Sequence, residues 1–268
     1  GLPQALYDDF HAATDFLKSA QPAGRLLSLS RRYFDLQLPA LTGHPLVSEA
    51  AHHNFMLRDF ARLETAARAS ASDMLAFLQL AGVSHIIIDR QDHDVPQQQQ
   101  LWFRSLLPVA FENDFFTILQ NEKALYPAFL ASVVRPAQPE LPQYLDALQF
   151  ASKGILSLPP GEGGEQGSPA PFQRITPNGP ATSAVASFAV TGSSGWLTLS
   201  EAWHPDWTAS IDGTPARVTR VAGAFPGVAI PTGAREVTFR FQPPAWYTLC
   251  LAIGGGSWVL SLAWLALV

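Results

Sequence analysis

The feature that most constrains the fold is a tight turn near the end of the chain, Asp212-Gly213, between two short runs of strand-forming residues at 207–211 and 216–221. Asp-Gly is a strong hairpin signal because a two-residue turn needs positive φ angles, which glycine adopts without steric cost. The sequence therefore predicts an antiparallel hairpin with Gly213 in the left-handed region.

Turn signals recur at short, even intervals through residues 183–241, and strand-forming runs separate them. Besides the two hairpin runs, these are residues 185–190, 196–200, 227–230 and 236–241. This spacing is typical of a small antiparallel module. We expect a β-sandwich, jelly-roll-like in its strand order, over residues 181–244.

The first half of the chain mixes helical and strand patterns, which predicts a mixed α/β domain over residues 1–135. Helices are predicted at 7–19, 55–69 and 72–81, the last with Ser72 as its N-cap and Gly82 as its stop. Strands are predicted at 25–30, 83–89 and 126–134, and a hairpin joins 106–112 to 115–121. The polar residues 91–100 are predicted to form a loop.

Residues 136–180 interrupt these patterns. Pro136, Pro139 and Pro142 open the stretch, and a run rich in proline and glycine follows at 159–167. Such a run supplies few side chains to a core, so we predict a linker or a long loop. The apolar piece 147–158 within it is either a strand or a helix.

The last segment, residues 246–268, carries no charged side chain. About 20 apolar residues suffice to cross a bilayer. Trp246 and Tyr247 stand at the start, where interfacial aromatic residues are favoured. Gly254-Gly255-Gly256 favours the alternative, a buried C-terminal helix of a soluble domain, because glycine weakens a helix. Glycine is better tolerated in membrane helices, so we predict a transmembrane helix over 245–268 and an α+β fold class overall.

Composition narrows the function. The net charge is -5 and no basic stripe is present, so nucleic-acid binding has no electrostatic support. The one cysteine, Cys250, provides neither a disulfide framework nor a cysteine zinc motif. The sequence also lacks a glycine-rich phosphate loop after a strand and a Gly-x-Ser-x-Gly motif. We predict no nucleic-acid partner, no metal and no cofactor.

Glu201, Trp203, His204 and Trp207 form the candidate ligand-binding cluster. Aromatic rings stack on the apolar face of a sugar, and a carboxylate accepts hydrogen bonds from its hydroxyl groups. The alternative is packing, with Trp207 in the core of the sandwich and Trp203 at a strand end. Both interpretations stay open at the level of sequence.

The run Asp92-His93-Asp94, with His85 and Asp89 nearby, contains residue types that bind divalent cations. Its spacing matches no recognised zinc or calcium site. We therefore predict a solvated polar loop here, and the adjacent pair His52-His53 is discounted on the same grounds.

A series of motifs closes the chain: Glu201-Ala202-Trp203-His204-Pro205-Asp206-Trp207, Asp212-Gly213, Gly227-Val228, Pro231-Thr232-Gly233 and then a strand leading into the apolar segment. This order resembles the C-terminal end of the YfhO-like bacterial membrane proteins, which are polytopic and glycosyltransferase-C-like. Residues 80–89 and 111–129 are similar to the mixed α/β region of the same family, whereas residues 136–180 match none of it.

The resemblance implies an extracytoplasmic location at the bacterial cell membrane, with the lipid bilayer as a partner. It also implies contact with a polyprenyl-phosphate sugar or a glycan acceptor. The catalytic acidic residue of the family follows an early transmembrane helix that is absent here, so no catalytic residue is assigned. Because the chain begins at Gly1 and shows no signal peptide, we read it as a piece of a longer protein.

Two functions remain. The chain is either the part of a lipid-linked sugar transferase that shapes or covers the acceptor site, or a non-catalytic carbohydrate-binding or structural module of a membrane-anchored envelope protein. We expect the isolated chain to be catalytically inactive.

Overall fold

The structure, a computed structural model, describes residues 4–21, 23–30, 37–47, 58–137, 143–162, 170–179 and 185–242. Its helices are α1 (Gln4–Ser19), α2 (Leu38–Thr42), α3 (Arg58–Ala67), α4 (Ala71–Leu80), α5 (Gln97–Leu106) and α6 (Gln143–Ala151). Its strands are β1 (Arg25–Leu29), β2 (Val83–Asp89), β3 (Val109–Glu112), β4 (Phe116–Gln120), β5 (Ala128–Ala131), β6 (Val134–Pro136), β7 (Leu156–Leu158), β8 (Gln173–Ile175), β9 (Val185–Ala189), β10 (Gly195–Leu199), β11 (Trp207–Ile211), β12 (Thr214–Ala216), β13 (Thr219–Val221), β14 (Phe225–Ile230) and β15 (Glu236–Phe241).

Two large antiparallel sheets and one mixed sheet carry the architecture. The mixed sheet has the order β1-β2-β4-β3, in which only β1 and β2 run parallel. The five-stranded sheet has the order β13-β14-β10-β5-β8, and the four-stranded sheet has the order β12-β11-β15-β9. A short parallel pair joins β6 to β7. Helices combined with mainly antiparallel sheets confirm the predicted α+β class.

Both faces of the mixed sheet are covered, because successive side chains of a strand point to opposite faces. One face packs against α1 through Leu6, Phe10, Leu17, Leu26, Ile87, Phe116 and Ile118. The other face packs against α4 and α5 through Leu27, Met74, Phe77, Ile86, Ile88, Phe103 and Leu119. β1 and β2 are therefore buried along their whole length.

The five-stranded and four-stranded sheets face each other across a shared core. Its main members are Ala128, Leu130, Phe188, Leu197, Leu199, Val228, Ile230, Val237 and Phe239. Two antiparallel sheets packed in this way form a β-sandwich. The opposite face of the five-stranded sheet contributes Phe129, Ala131 and Phe225 to the core shared with the helices. This sheet is thus buried on both faces and joins the two halves of the chain.

Strand pairing does not follow the predicted division at residues 135 and 181. β5 belongs to the first half, yet it pairs with β10 on one side and with β8 on the other. The stretch predicted as a linker also contains α6, whose Ala147 and Leu148 are fully buried. The apolar piece 147–158, predicted as a strand or a helix, holds both, since α6 ends within it at Ala151 and β7 follows at Leu156–Leu158.

Four local predictions were wrong. Helix α4 is capped by Ser70 rather than Ser72, because the Ser70 side chain accepts the Asp73 N–H at 3.1 Å. Residues 97–100 open helix α5 directly after Pro96 and are not part of a loop. Two predicted strands are each divided between two sheets: 126–134 into β5 and β6, and 216–221 into β12 and β13.

The predicted transmembrane helix at 245–268 lies outside the described residues. Among the helices that the structure does describe, none is both long and apolar enough to cross a bilayer.

His85 lies on β2 with its side chain completely buried near α1. Its Nδ1 is 2.9 Å from the Ser84 hydroxyl, its Nε2 is buried without a hydrogen-bond partner, and the His44 ring lies 6.2 Å away. Burial, followed by the effect of a charge on His44, lowers the pKa of His85 from 6.5 to about 4. The ring is therefore neutral in the folded protein at physiological pH.

Acid should destabilise the fold through His85. The pKa of His85 is higher in the unfolded chain than in the folded protein. This group therefore leaves the free energy of unfolding unchanged above about pH 6.5 and lowers it as the pH falls toward 4. We expect about 2 kcal/mol of loss between pH 7 and pH 5 from this group. Denaturant unfolding at the two pH values should give a weaker pH dependence for His85→Gln than for the wild type. His93→Gln, at an exposed histidine, is the matched control and should keep the wild-type dependence. The same dependence in all three proteins would contradict the assignment.

The predicted turn is confirmed. Asp212 and Gly213 have φ values of 49° and 80°, both positive, as a primed hairpin turn requires. The Asp212 carboxylate also accepts the backbone N–H groups of Arg235 and Glu236, at 3.1 and 2.9 Å through Oδ1. The turn therefore fixes β11 and β12 and also ties them to the start of β15.

Gly213→Val should destabilise the protein by about 1 kcal/mol or more, because a β-branched residue is strained at positive φ. A Cβ at this position would meet no atom within 4 Å, so the loss reports backbone strain rather than a clash. Gly179→Val is the matched control, since Gly179 also has open space but no positive φ. Thermal unfolding compares the variants, and equal midpoints for both would be inconsistent with a strained turn.

Candidate functional site

The loop between β10 and β11, residues 200–206, carries the predicted ligand-binding residues and is held by hydrogen bonds to the main chain. The Ser200 N–H donates to the Pro127 carbonyl at 2.9 Å, and its hydroxyl donates to the Leu125 carbonyl at 3.1 Å. The Trp203 N–H donates to the Ala224 carbonyl at 2.7 Å. These bonds order a stretch that has no regular secondary structure of its own.

Glu201 forms an ion pair with Arg25, the first residue of β1. The Glu201 Oε1 and the Arg25 Nη2 are 2.5 Å apart, and the side chains are 34% and 10% exposed. The Arg25 guanidinium also lies 5.6 Å from the centre of the Tyr126 ring. Burial and the Glu201 charge raise the pKa of Tyr126, with Arg25 acting in the opposite direction. Glu201 therefore ties this loop to the mixed sheet.

Trp203 lies beneath a second arginine. The Arg220 guanidinium carbon is 5.5 Å from the centre of the indole, a cation–π arrangement. Arg220 is itself fixed, because its Nε donates to the Gly223 carbonyl at 2.6 Å and its Nη2 donates to the Tyr144 hydroxyl at 3.2 Å. The indole remains partly exposed. The loop thus presents an aromatic surface in a fixed position.

Trp207 and His204 serve mainly to pack and close the loop. The Trp207 indole lies against the sandwich core and donates its Nε1–H to the Ala202 carbonyl at 3.0 Å. His204 meets the Phe241 ring edge to face at 5.4 Å, and its Nδ1 accepts the Asp206 N–H at 3.2 Å. The four predicted residues therefore share one loop but have different partners, and their role in ligand binding stays a prediction.

The residues weighed for a metal site do not gather around one point. Asp92 is buried and accepts the Ser30 hydroxyl at 3.2 Å, whereas His93 and Asp94 are exposed. Within the part of the chain that the structure describes, no three His, Cys, Asp or Glu side chains are placed to hold a metal ion together. The pair at 52–53 lies outside that part.

Arg25 and Arg220 were missed at the sequence level. Arg25 opens the run Arg-Leu-Leu-Ser-Leu, and a charged residue at the head of a wholly buried strand indicates that an opposite charge lies nearby. That signal could have identified a buried ion pair, although not the identity of its partner 176 residues away. The sequence offers no comparable signal for Arg220, which lies on a short strand among polar and apolar residues.

A cavity of about 590 Å³ shares no lining residue with this loop, although Leu125 lines the cavity and accepts the Ser200 hydroxyl through its carbonyl. Its walls are Gln79, Glu122, Lys123, Ala124, Leu125, Ala151, Ser152, Lys153, Gly154, Ala170, Pro171, Phe172 and Arg174. A neighbouring cavity of about 410 Å³ shares Gln79, Glu122, Lys123 and Ser152 with it. Neither cavity is evident in the sequence, because the lining residues come from separate segments of the chain.

Comparison with known proteins leaves the family open. No protein-family model matches the chain, and no curated protein matches it. The resemblance to the YfhO-like proteins therefore stays a prediction.

Among solved structures, the chain is similar to the cryo-EM structure of the arabinofuranosyltransferase AftD from Mycobacteria, with 24% identity and a TM-score of 0.30. Two structures of a mutant of that protein give 25% identity and the same TM-score. The match covers 38% of this chain and 8% of the transferase. A similarity at this level does not establish a common fold, and the transferase activity named there is that of the mycobacterial protein.

Proposed function

We propose that this chain is the extracytoplasmic part of a glycosyltransferase-like bacterial membrane protein, in which it shapes or covers the acceptor site. Residues 245–268 anchor it in the bilayer, and the catalytic residues lie elsewhere in the protein. The motifs from Glu201 to Phe241 support this role by their resemblance to such proteins. In the geometry, the observation that carries it is the partly exposed Trp203 indole held by Arg220.

An indole that is fixed before binding suits a sugar ligand. Sugar rings stack on aromatic faces, and a side chain that is already ordered loses little conformational entropy on binding. Glu201, two residues earlier, has one oxygen in the ion pair with Arg25, and its Oε2 receives no hydrogen bond from the described residues. That oxygen is a suitable acceptor for a sugar hydroxyl.

The same loop is poorly arranged for catalysis. General acid–base chemistry needs titratable groups that reach the same bond of a substrate. The carboxylate of Glu201 is paired with Arg25, and the His204 Nδ1 accepts a backbone N–H within its own turn. These engagements favour a binding role over a catalytic one.

Glycan binding through Trp203 is tested with the purified chain in detergent, first on an array of bacterial oligosaccharides and then by titration of the best ligand. Trp203→Ala should weaken binding about tenfold, as expected when a stacking surface is removed, and Trp203→Phe should retain most of it. Trp102→Ala is the matched control, because Trp102 is a partly buried indole on α5 that packs against Phe103. Equal weakening by Trp203→Ala and Trp102→Ala would count against the role of Trp203.

The non-catalytic role has its own test. The purified chain should neither transfer nor hydrolyse the sugar of a polyprenyl-phosphate donor. Turnover that Glu201→Gln or Asp92→Asn abolishes would make this chain the enzyme itself.

A structural module of a membrane-anchored envelope protein is the second candidate. The Arg25–Glu201 ion pair favours it, because a side chain engaged in holding two sheets together has a sufficient role without a ligand. Absence of binding to any glycan of the array would support this candidate over the first.

A further inference from the structure

The cavity of about 590 Å³ beside residues 122–125 has the character of an anion site, and we propose that it binds a phosphate-bearing ligand, either a soluble sugar phosphate or a phospholipid headgroup. It shares no residue with the loop at 200–206. The inference therefore stands or fails independently of the proposed function.

Charge is the first observation. Lys123, Lys153 and Arg174 line the cavity, and Glu122 is the one carboxylate among the lining residues that the structure describes. The whole chain, in contrast, has a net charge of -5. A cleft lined by one sign of charge concentrates the electrostatic field and attracts ligands of the opposite sign. Three cations from three separate segments at one cavity favour an anionic ligand.

The second observation is the unused binding capacity of these cations. Among the described residues, neither lysine nor Arg174 forms an ion pair with a carboxylate. Arg174 donates from Nη2 to the Ala23 carbonyl at 3.3 Å, while its Nε is buried without a hydrogen-bond partner. Buried donors normally have a partner, and the planar fork of an arginine matches phosphate oxygens.

The third observation is that the walls are fixed. The Leu125 N–H donates to the Gln79 carbonyl at 3.1 Å, which ties the loop at 122–125 to the end of α4. Gly154, with a φ of 72°, lets the turn after α6 close on Ala170, because a Cβ there would lie 2.1 Å from the Ala170 carbonyl oxygen. Phe172 and Leu125 add apolar surface for the carbon skeleton of the ligand. The cavity is therefore formed before any ligand arrives.

Titrations of the purified chain followed by NMR or calorimetry test the site, with α-D-glucose 1-phosphate as the probe and glucose as the uncharged control. The sugar phosphate should bind saturably, more weakly as the salt concentration rises, and glucose should not. The double variant Lys123→Met and Lys153→Met should weaken binding about tenfold or more. Lys18→Met, at an exposed lysine paired with Asp15 on α1, is the matched control and should leave binding unchanged.

Glu122→Gln should strengthen binding of the sugar phosphate, whereas the lysine variants weaken it. Removal of the one carboxylate among the described lining residues should strengthen binding about threefold, a gain that general damage to the fold would not produce. Flotation with vesicles of phosphatidylcholine, with and without phosphatidylglycerol, separates the two ligand sources. Binding to the anionic vesicles that depends on Lys123 and Lys153 would assign a lipid headgroup, and binding to the soluble probe alone would assign a sugar phosphate.

Three results would each overturn the inference. The first is failure of both the sugar phosphate and the anionic vesicles to bind. The second is binding that Lys18→Met weakens as much as the double variant does. The third is binding that Glu122→Gln leaves unchanged.

Discussion

The rest of the structure depends on the pairing of β5 along both of its edges. This strand of four residues joins β10 on one side and β8 on the other, so both edges take part in antiparallel pairing. Its side chains alternate between two cores: Ala128 and Leu130 face the sandwich, and Phe129 and Ala131 face the helices. Removing this strand would therefore leave neither core complete.

Both surfaces with a proposed binding role are positioned by the chain that leads into β5. The loop at 200–206 is held by the carbonyls of Leu125 and Pro127, and Leu125 also lines the charged cavity. On the far side of β5, the segment before β8 supplies Phe172, whose ring lies 5.0 Å from that of Phe129. Both surfaces therefore depend on contacts of residues 125–129, which are the segment before β5 and the start of that strand.

Local signals in the sequence predicted local structure well. The Asp212-Gly213 turn, strand β2 after Gly82 and the hairpin of β3 and β4 follow from turn chemistry and alternation, which act over a few residues. The pairing of β5 with β10 in the five-stranded sheet was not predicted, because partner residues 65 to 71 positions apart leave no periodic trace in the sequence. The same holds for the candidate site. Glu201 and Trp203 could be identified from their sequence motif. Arg25 and Arg220 could not be identified as their partners, because they contact Glu201 and Trp203 from distant parts of the chain.

Native-state hydrogen exchange of β5 tests the central claim, that this strand makes the two halves one cooperative unit. The amide protons of Phe129 and Leu130 should exchange with the same free energy of opening as that of Leu197 in β10, because all three are released only by global unfolding. If the β5 amides exchange through a low-energy local opening while the β10 amides stay protected, the two halves are separate units and the claim is wrong.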